Sequence, residues 1–189
     1  RRVEQRWKKE FRGILTKQFY IFDYEKRRIV NVGIGNGIEG IGLFDNCIDF
    51  TGIDIAPESV KIAQSRLPKA RLIVNPAEKM EDIPDASADV YVSLRTFQSS
   101  FFDLHEAVRE AYRVLSPGGI FLASIANAYM DGNSLIRGLM PHNAKHVDLD
   151  RAHDLINQIR HQLTKLRFDE VGVHTGKAEE YVFGRKRFG

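Results

Sequence analysis

The chain has 189 residues, a formal net charge of +3 and a sequence pI near 9.0. This length fits one α/β domain, and 43% hydrophobic residues suffice to form a core. No apolar run reaches the roughly 20 residues that a membrane-spanning helix needs, so a membrane span is not expected. The mild positive charge permits a polyanionic partner without requiring one.

Cysteine usage and the first residues indicate the compartment. Cys47 is the single cysteine, so neither an internal disulfide nor a disulfide-linked partner is expected. The segment Arg1–Glu4 does not resemble a signal peptide. Both observations fit a reducing compartment and predict a cytoplasmic protein.

Strand-like and helix-like segments alternate along the chain, which predicts an α/β fold. In chain order we expect a helix over 3–20, a strand over 29–32, a helix to about Phe44, a strand over 50–55, a helix from Pro57 to about Leu67, strands over 70–74 and 88–93, a helix from Asp103 to Leu115, a strand over 120–125, a helix from Asp150 to Leu166, and strands over 170–174 and 180–185. Gly176 marks a turn between the last two strands, so these should pair antiparallel. The predicted architecture is a doubly wound, mostly parallel seven-stranded sheet with helices on both faces.

Three helix starts are predicted from their residues. Pro57 suits a first helical turn, where its missing N–H would have no partner anyway. Asp103 and Glu106 form a capping-box pattern, in which Asp103 caps the first amides and Glu106 reaches back. Asp150 is expected to cap the last helix.

A glycine-rich turn follows the first strand. Gly33, Gly35 and Gly37 stand where the backbone must turn sharply and let a ligand approach, which favours residues without a Cβ atom. Asp54 lies 21 residues beyond Gly33, at the end of the next strand, where a carboxylate can accept both hydroxyls of a ribose. This pattern alone fits a nicotinamide or flavin enzyme nearly as well as other nucleotide-binding proteins.

Four segments together resemble the class I S-adenosylmethionine-dependent methyltransferases. They are Val30–Gly37, Gly52–Val60, Asp85–Val90 and Glu106–Gly119, of which the last is the most specific. The similarity covers about residues 28–187. It implies one methyltransferase domain over 1–189, with an N-terminal helix (1–27), a cofactor-binding half (28–126) and a substrate-loop and C-terminal half (127–189).

The resemblance implies S-adenosylmethionine as the cofactor and assigns residues to its parts. The implied cofactor-binding residues are Gly33 and Gly35 at the methionine part, Asn31 near its ammonium group, Gly37 in the same turn, Asp54 at the ribose, Ile55, Ala77 and Glu78 at the adenine, and Ser93 and Leu94 beside the sulfonium. Two positions depart from the family pattern. Asn31 stands where the family usually has an acid, and Pro76 stands where an acid often contacts the adenine amine.

The acceptor site is predicted from position. Arg95, Phe97 and Gln98 follow the fourth strand, so Arg95 is expected to orient a polar acceptor and Phe97 to stack on a ring. The loop 127–149 follows the fifth strand and carries His142 and His146, which are further candidates for acceptor contacts. Their four-residue spacing also suits metal ligands, but Pro141 disfavours a helix there and no metal site is predicted. No side chain is assigned as a base.

Three functions remain open. A weaker resemblance to messenger-RNA cap guanine-N7 methyltransferases rests on Gly52–Ala56, the helix with Trp7, and Arg95–Phe101. Basic clusters at 1–2, 8–9, 26–28 and 185–187 would then contact phosphates. The second hypothesis is methylation of a small metabolite or lipid. The third is a catalytically inactive fold kept as a binding module, favoured by the departures at Asn31 and Pro76.

Overall fold

The computed structural model of the chain describes residues 2–98, 103–126, 149–176 and 179–189. The strands are β1 (Arg28–Val32), β2 (Asp49–Asp54), β3 (Arg71–Val74), β4 (Ala88–Leu94), β5 (Leu115–Ala126), β6 (Phe168–Thr175) and β7 (Glu179–Lys186). The helices are α1 (Arg2–Phe19), α2 (Pro57–Arg66), α3 (Leu104–Val114) and α4 (Leu149–Lys165).

All seven strands form one sheet, in the order β3-β2-β1-β4-β5-β7-β6. Strands β1 to β5 run parallel to one another, whereas β7 runs antiparallel to both β5 and β6. The predicted fold class is therefore confirmed. The strand order reverses between β1 and β4, and the carboxyl ends of these two strands flank the crevice in which such sheets bind ligands.

Two hydrophobic cores cover the two faces of the sheet. On one face, α1, α2 and the C-cap residue of α2 contribute Phe11, Ile14, Leu15, Phe19, Ala63 and Leu67. On the other face, α3 and α4 contribute Ala107, Val108, Ala111, Ile156, Ile159 and Leu163. Strand β4 shows the alternation, because Val90 and Val92 face the first core while Tyr91 faces the second. The helices on both faces are thus as predicted.

The prediction of a helix from the glycine turn to about Phe44 is wrong. Residues 38–46 form a series of tight turns, with bonds from Gly40 N–H to the Gly37 carbonyl and from Leu43 N–H to the Gly40 carbonyl. Gly37 and Gly42 have φ values of 79° and 76°, outside the helical range. These glycines interrupt the helix that the spacing of apolar residues favoured. Residues 38–47 are called the turn segment below.

The capping-box prediction for α3 is correct for Asp103 and wrong for Glu106. The Asp103 carboxylate accepts from the amides of His105 and Glu106 at 2.8 and 3.2 Å, as predicted. The amide of Asp103, however, donates to Glu78 at 2.8 Å, and Glu106 instead pairs with Arg109. A carboxylate from a different loop therefore completes the cap.

The remaining bounds agree closely, with two differences. β5 begins at Leu115 rather than at residue 120, because Leu115 already pairs with Ala88 before a register shift in β4. Helix α4 begins at Leu149, so Asp150 lies inside its first turn. None of the helices in the described ranges is long and apolar enough to cross a membrane. The cytoplasmic location and the division of the chain at residues 27 and 126 stay predictions.

Candidate functional site

The glycine turn is held against the end of β2. The amides of Gly33 and Ile34 both donate to the Ile53 carbonyl, at 2.8 and 3.0 Å. Gly33, Gly35 and Gly37 all have positive φ, at 77°, 53° and 79°, a region that side chains with a Cβ atom rarely adopt. The sequence prediction of a sharp turn here is confirmed.

The surroundings of Gly35 differ from those of Gly33 and Gly37. A Cβ atom at Gly33 would lie 2.0 Å from Thr96 Oγ1, and one at Gly37 would lie 3.0 Å from the backbone of Ala63 on α2. At Gly35 no heavy atom of the described residues lies within 4 Å of the added Cβ position. Gly33 and Gly37 thus allow close packing of protein on protein, while Gly35 borders open space at the carboxyl edge.

Asp54 fixes the glycine turn through its carboxylate. Its two oxygens accept from the amides of Gly35 at 2.8 Å and Ala56 at 3.0 Å. The side chain is half-buried at the end of β2, and each carboxylate oxygen has further capacity to accept a hydrogen bond. The geometry suits a carboxylate that holds the turn and still accepts hydroxyl donors from a sugar.

Apolar side chains are exposed beside Asp54. Ile55 is 63% exposed and Val74, at the end of β3, is 45% exposed. Two exposed aliphatic side chains at the carboxyl ends of neighbouring strands provide a surface on which a flat ring can pack. Ala77 packs on the core beneath α3, and Glu78 is engaged by the Asp103 amide, so the adenine role predicted for these two stays a prediction.

Asn31 offers a buried acceptor near the turn. Its side chain is 2% exposed, and its Oδ1 finds no hydrogen-bond donor among the described residues. An unsatisfied buried carbonyl is costly unless a ligand or water donates to it. This orphaned oxygen, the open space at Gly35 and the carboxylate of Asp54 together fit a ligand that carries an amine, a ribose and an adenine.

The residues at the end of β4 are buried. The Ser93 hydroxyl donates to the Val32 carbonyl at 3.1 Å, and Leu94 is 3% exposed in the core, so both lie beneath the surface. Phe97 is 2% exposed and packs edge-on against Phe121. A ring in this position supports the core and is not available to stack on an acceptor, whereas Gln98 is half-buried.

Arg95 lies between two carboxylates. Its Nη2 atom is hydrogen-bonded to Glu39 in the turn segment, and its Nε atom lies 3.4 Å from Glu179 Oε1 at the start of β7. Its backbone is left-handed, with φ 58°, and its amide donates to the Ser124 carbonyl at 2.9 Å. The guanidinium of Arg95 therefore has two carboxylate neighbours. The role predicted for Arg95 in orienting the acceptor stays a prediction.

These carboxylates have altered acidity. Burial raises the pKa of Glu39 to about 7, because desolvation and the nearby Glu179 outweigh the attraction of Arg95. Burial also raises the pKa of Glu179, which is 1% exposed and faces the hydroxyls of Ser124 and Tyr181. Sequence reasoning missed Glu39, Glu179 and Thr96, although Glu39 follows the glycine turn by only two residues.

Other predicted positions fall outside the described residues. His142, His146 and most of the loop 127–149 lie there, as do residues 99–101, so their predicted acceptor roles stay predictions. Among the described residues, no group of three or more histidine, cysteine or acidic side chains could hold a metal ion. Cys47 is half-buried, and burial raises its pKa to about 12, which leaves the thiol protonated at neutral pH.

The basic clusters are largely occupied by contacts within the chain. The pairs are Lys26 and Arg27 with Asp23, Arg28 with Asp89, Arg185 with Glu170, Arg187 with Asp169, and Lys186 with the carbonyls of Tyr112 and Leu115. Lys8 donates to the Ile41 carbonyl in the turn segment. The sequence did not reveal these contacts, because most partners are distant along the chain.

Comparison with known proteins adds a family pattern and related folds. Residues 30–123, about half of the chain, match the family model described as a methyltransferase domain. The chain is 30% identical to a probable S-adenosylmethionine-dependent methyltransferase of Mycolicibacterium smegmatis over 53% of its own length and 38% of that protein. It is 28% identical to an uncharacterized protein of Methanocaldococcus jannaschii over 72% of its own length and 49% of that protein.

A solved structure shares the fold. The crystal structure of a putative S-adenosyl-L-methionine-dependent methyltransferase from Methanococcus maripaludis superposes with a TM-score of 0.67 at 17% identity, covering 96% of this chain and 93% of that one. The chain aligns with less than half the length of the two relatives from Methanocaldococcus jannaschii and Mycolicibacterium smegmatis, at 49% and 38%.

Proposed function

Because the chain belongs to the class I S-adenosylmethionine-dependent methyltransferases, we propose that it transfers the cofactor's methyl group to a small-molecule acceptor. The observation that carries this choice is the occupation of the basic clusters. In the described part of these clusters, seven cations contact carboxylates or carbonyls of the chain itself: Lys8, Lys26, Arg27, Arg28, Arg185, Lys186 and Arg187. RNA phosphates would compete with these contacts.

The residues at the carboxyl edge fit the cofactor. Asp54 would accept the ribose hydroxyls, Ile55 would pack on the adenine, and Asn31 Oδ1 would accept from the ammonium group. The open space at Gly35 would admit the methionine part. When bound, S-adenosylmethionine supplies a methyl group on a positively charged sulfur, which a lone pair can take in an in-line displacement. The protein then has to align the acceptor and exclude water.

RNA is the second candidate, on the weaker resemblance to the cap guanine-N7 enzymes. Guanine N7 has a free lone pair and needs no base, which agrees with a chain in which no base was assigned. Against it stand the paired basic clusters and the burial of Phe97, which removes the aromatic ring that was expected to stack on a base. A catalytically inactive binding module is the third candidate, and it predicts no methyl transfer to any acceptor.

The experiment uses S-adenosylmethionine labelled in its methyl group. The protein is incubated with a small-molecule extract, a lipid fraction and RNA that includes unmethylated capped transcripts, and label is counted in each. We expect label in the small-molecule or lipid fraction, which is lost with Asp54→Ala and retained with Asp49→Ala, an exposed residue at the other end of β2. Label in capped RNA alone would establish the RNA reading instead. Tight cofactor binding without label in any fraction would favour the inactive module.

A further inference from the structure

The side chains of Glu39, Arg95 and Glu179 form a charged group beside the glycine turn. Arg95 directly follows β4, and Glu179 pairs with Ala126 at the end of β5. Glu39 comes from the turn segment and reaches Arg95 from the β1 side. The group therefore lies at the carboxyl edge where β4 and β5 end, on the side of the sheet where the reactive end of a ligand is expected.

The backbone links this group directly to the glycine turn. The left-handed conformation of Arg95 reverses the chain so that Thr96 returns to Gly33, with Thr96 Oγ1 3.3 Å from the Val32 carbonyl. A Cβ atom on Gly33 would overlap with Thr96, so the two segments are in close contact. A charge in the group is thereby held at a fixed position relative to Gly33.

Ionisation of Glu39 changes the charge of the group. Glu39 and Glu179 share the guanidinium of Arg95, and Glu39 is the more accessible, with 21% of its side chain exposed against 1% for Glu179. Tyr181 and Glu10 of α1 also lie near Glu179, and Glu10 raises the pKa of that carboxyl further. Since burial raises the pKa of Glu39 to about 7, its carboxyl group changes from mostly protonated at pH 6 to mostly ionised at pH 8.

We propose that Glu39 is a specificity residue whose ionised carboxylate favours the sulfonium of S-adenosylmethionine over the uncharged thioether of S-adenosylhomocysteine. A negative charge in a partly buried site acts on a nearby cation more strongly than it would in water. Methyl transfer removes the positive charge from sulfur, so the same carboxylate favours replacement of product by substrate. The inference rests on the cofactor and not on the identity of the acceptor.

The test measures the dissociation constants of both ligands by calorimetry at pH 6, 7 and 8. In the unmodified protein, the preference for S-adenosylmethionine over S-adenosylhomocysteine should increase about 5-fold between pH 6 and pH 8, the size expected for one charge at a partly buried site. A purely structural role of Glu39 would weaken the binding of both ligands to the same extent. Such a shared loss of affinity does not change the ratio of the two dissociation constants.

Two variants complete the test. Glu39→Gln keeps an oxygen that can accept from Arg95, and its preference should stay constant with pH, at the low-pH value. Glu106→Gln removes an exposed carboxylate that pairs with Arg109 on α3, and it should behave as the unmodified protein does. The unmodified protein alone remains decisive if Glu39→Gln does not fold.

A preference that does not change with pH in the unmodified protein would overturn the inference, as would an equal change in Glu39→Gln. Failure of both ligands to bind would overturn the cofactor assignment and this inference with it. Normal binding together with an unlabelled small-molecule fraction would instead count against the proposed acceptor only.

Discussion

Replacing Asp54 by alanine should lower the affinity for S-adenosylmethionine by about 100-fold or more, which corresponds to losing two hydrogen bonds to a charged group. In the free protein the carboxylate holds the amides of Gly35 and Ala56, and in the complex it would also accept the ribose hydroxyls. The substitution therefore removes a ligand contact and loosens the turn that borders the ligand. Calorimetric titration with S-adenosylmethionine measures the loss.

The matched control is Asp49→Ala in the same strand. Asp49 is exposed at the start of β2, while Asp54 is half-buried at its end. Asp49→Ala should bind the cofactor as the unmodified protein does. Unchanged affinity in Asp54→Ala, with a cooperative unfolding transition retained, would show that the cofactor does not contact this carboxylate.

Gly33→Ala should destabilise the fold by about 3 kcal/mol, since steric overlap and a positive φ both oppose the added methyl group. The new Cβ would lie 2.0 Å from Thr96 Oγ1, and φ at this position is 77°. Gly35→Ala meets no described atom within 4 Å, so it should cost only about 1 kcal/mol for its φ of 53°. Its methyl group would nevertheless intrude on the ligand, and cofactor affinity should fall by more than about 10-fold.

Gly13→Ala supplies the control of opposite sign. Gly13 lies inside α1, where an added Cβ meets no described atom within 4 Å, so alanine should stabilise the protein by up to about 1 kcal/mol. Urea denaturation of the three variants measures these differences. Equal stability of Gly33→Ala and Gly35→Ala would contradict the contact between Thr96 and the glycine turn.

Most of the fold was predictable because it depends on local patterns. The apolar stripe of α1, the β-branched run of β1 and the Asp103 cap each specify an element within a few residues. The antiparallel pairing of β6 and β7 followed from the Gly176 turn. The turn segment was mispredicted because Gly37 and Gly42 adopt positive φ, which the apolar spacing around them does not reveal.

The contact between the glycine turn and Asp54 was predictable for a similar reason. Gly33 and Gly35 directly follow β1, and Asp54 ends the neighbouring strand β2, so the sequence alone places them at the same edge of the sheet. The charged group was not predictable, because Arg95 meets Glu39 and Glu179 across 56 and 84 positions of the chain. Likewise, Phe97 was expected to stack on a ring, although its burial against Phe121 depends on tertiary packing.

Hydrogen–deuterium exchange with and without S-adenosylhomocysteine tests most directly the claim that the cofactor binds at the edge between the glycine turn and Asp54. The account predicts slower exchange in peptides that cover residues 33–40 and 54–57, and unchanged exchange in the strand β6 at the far edge of the sheet. Protection confined to other segments, with residues 33–57 unaffected, would contradict the assignment of this edge as the cofactor site.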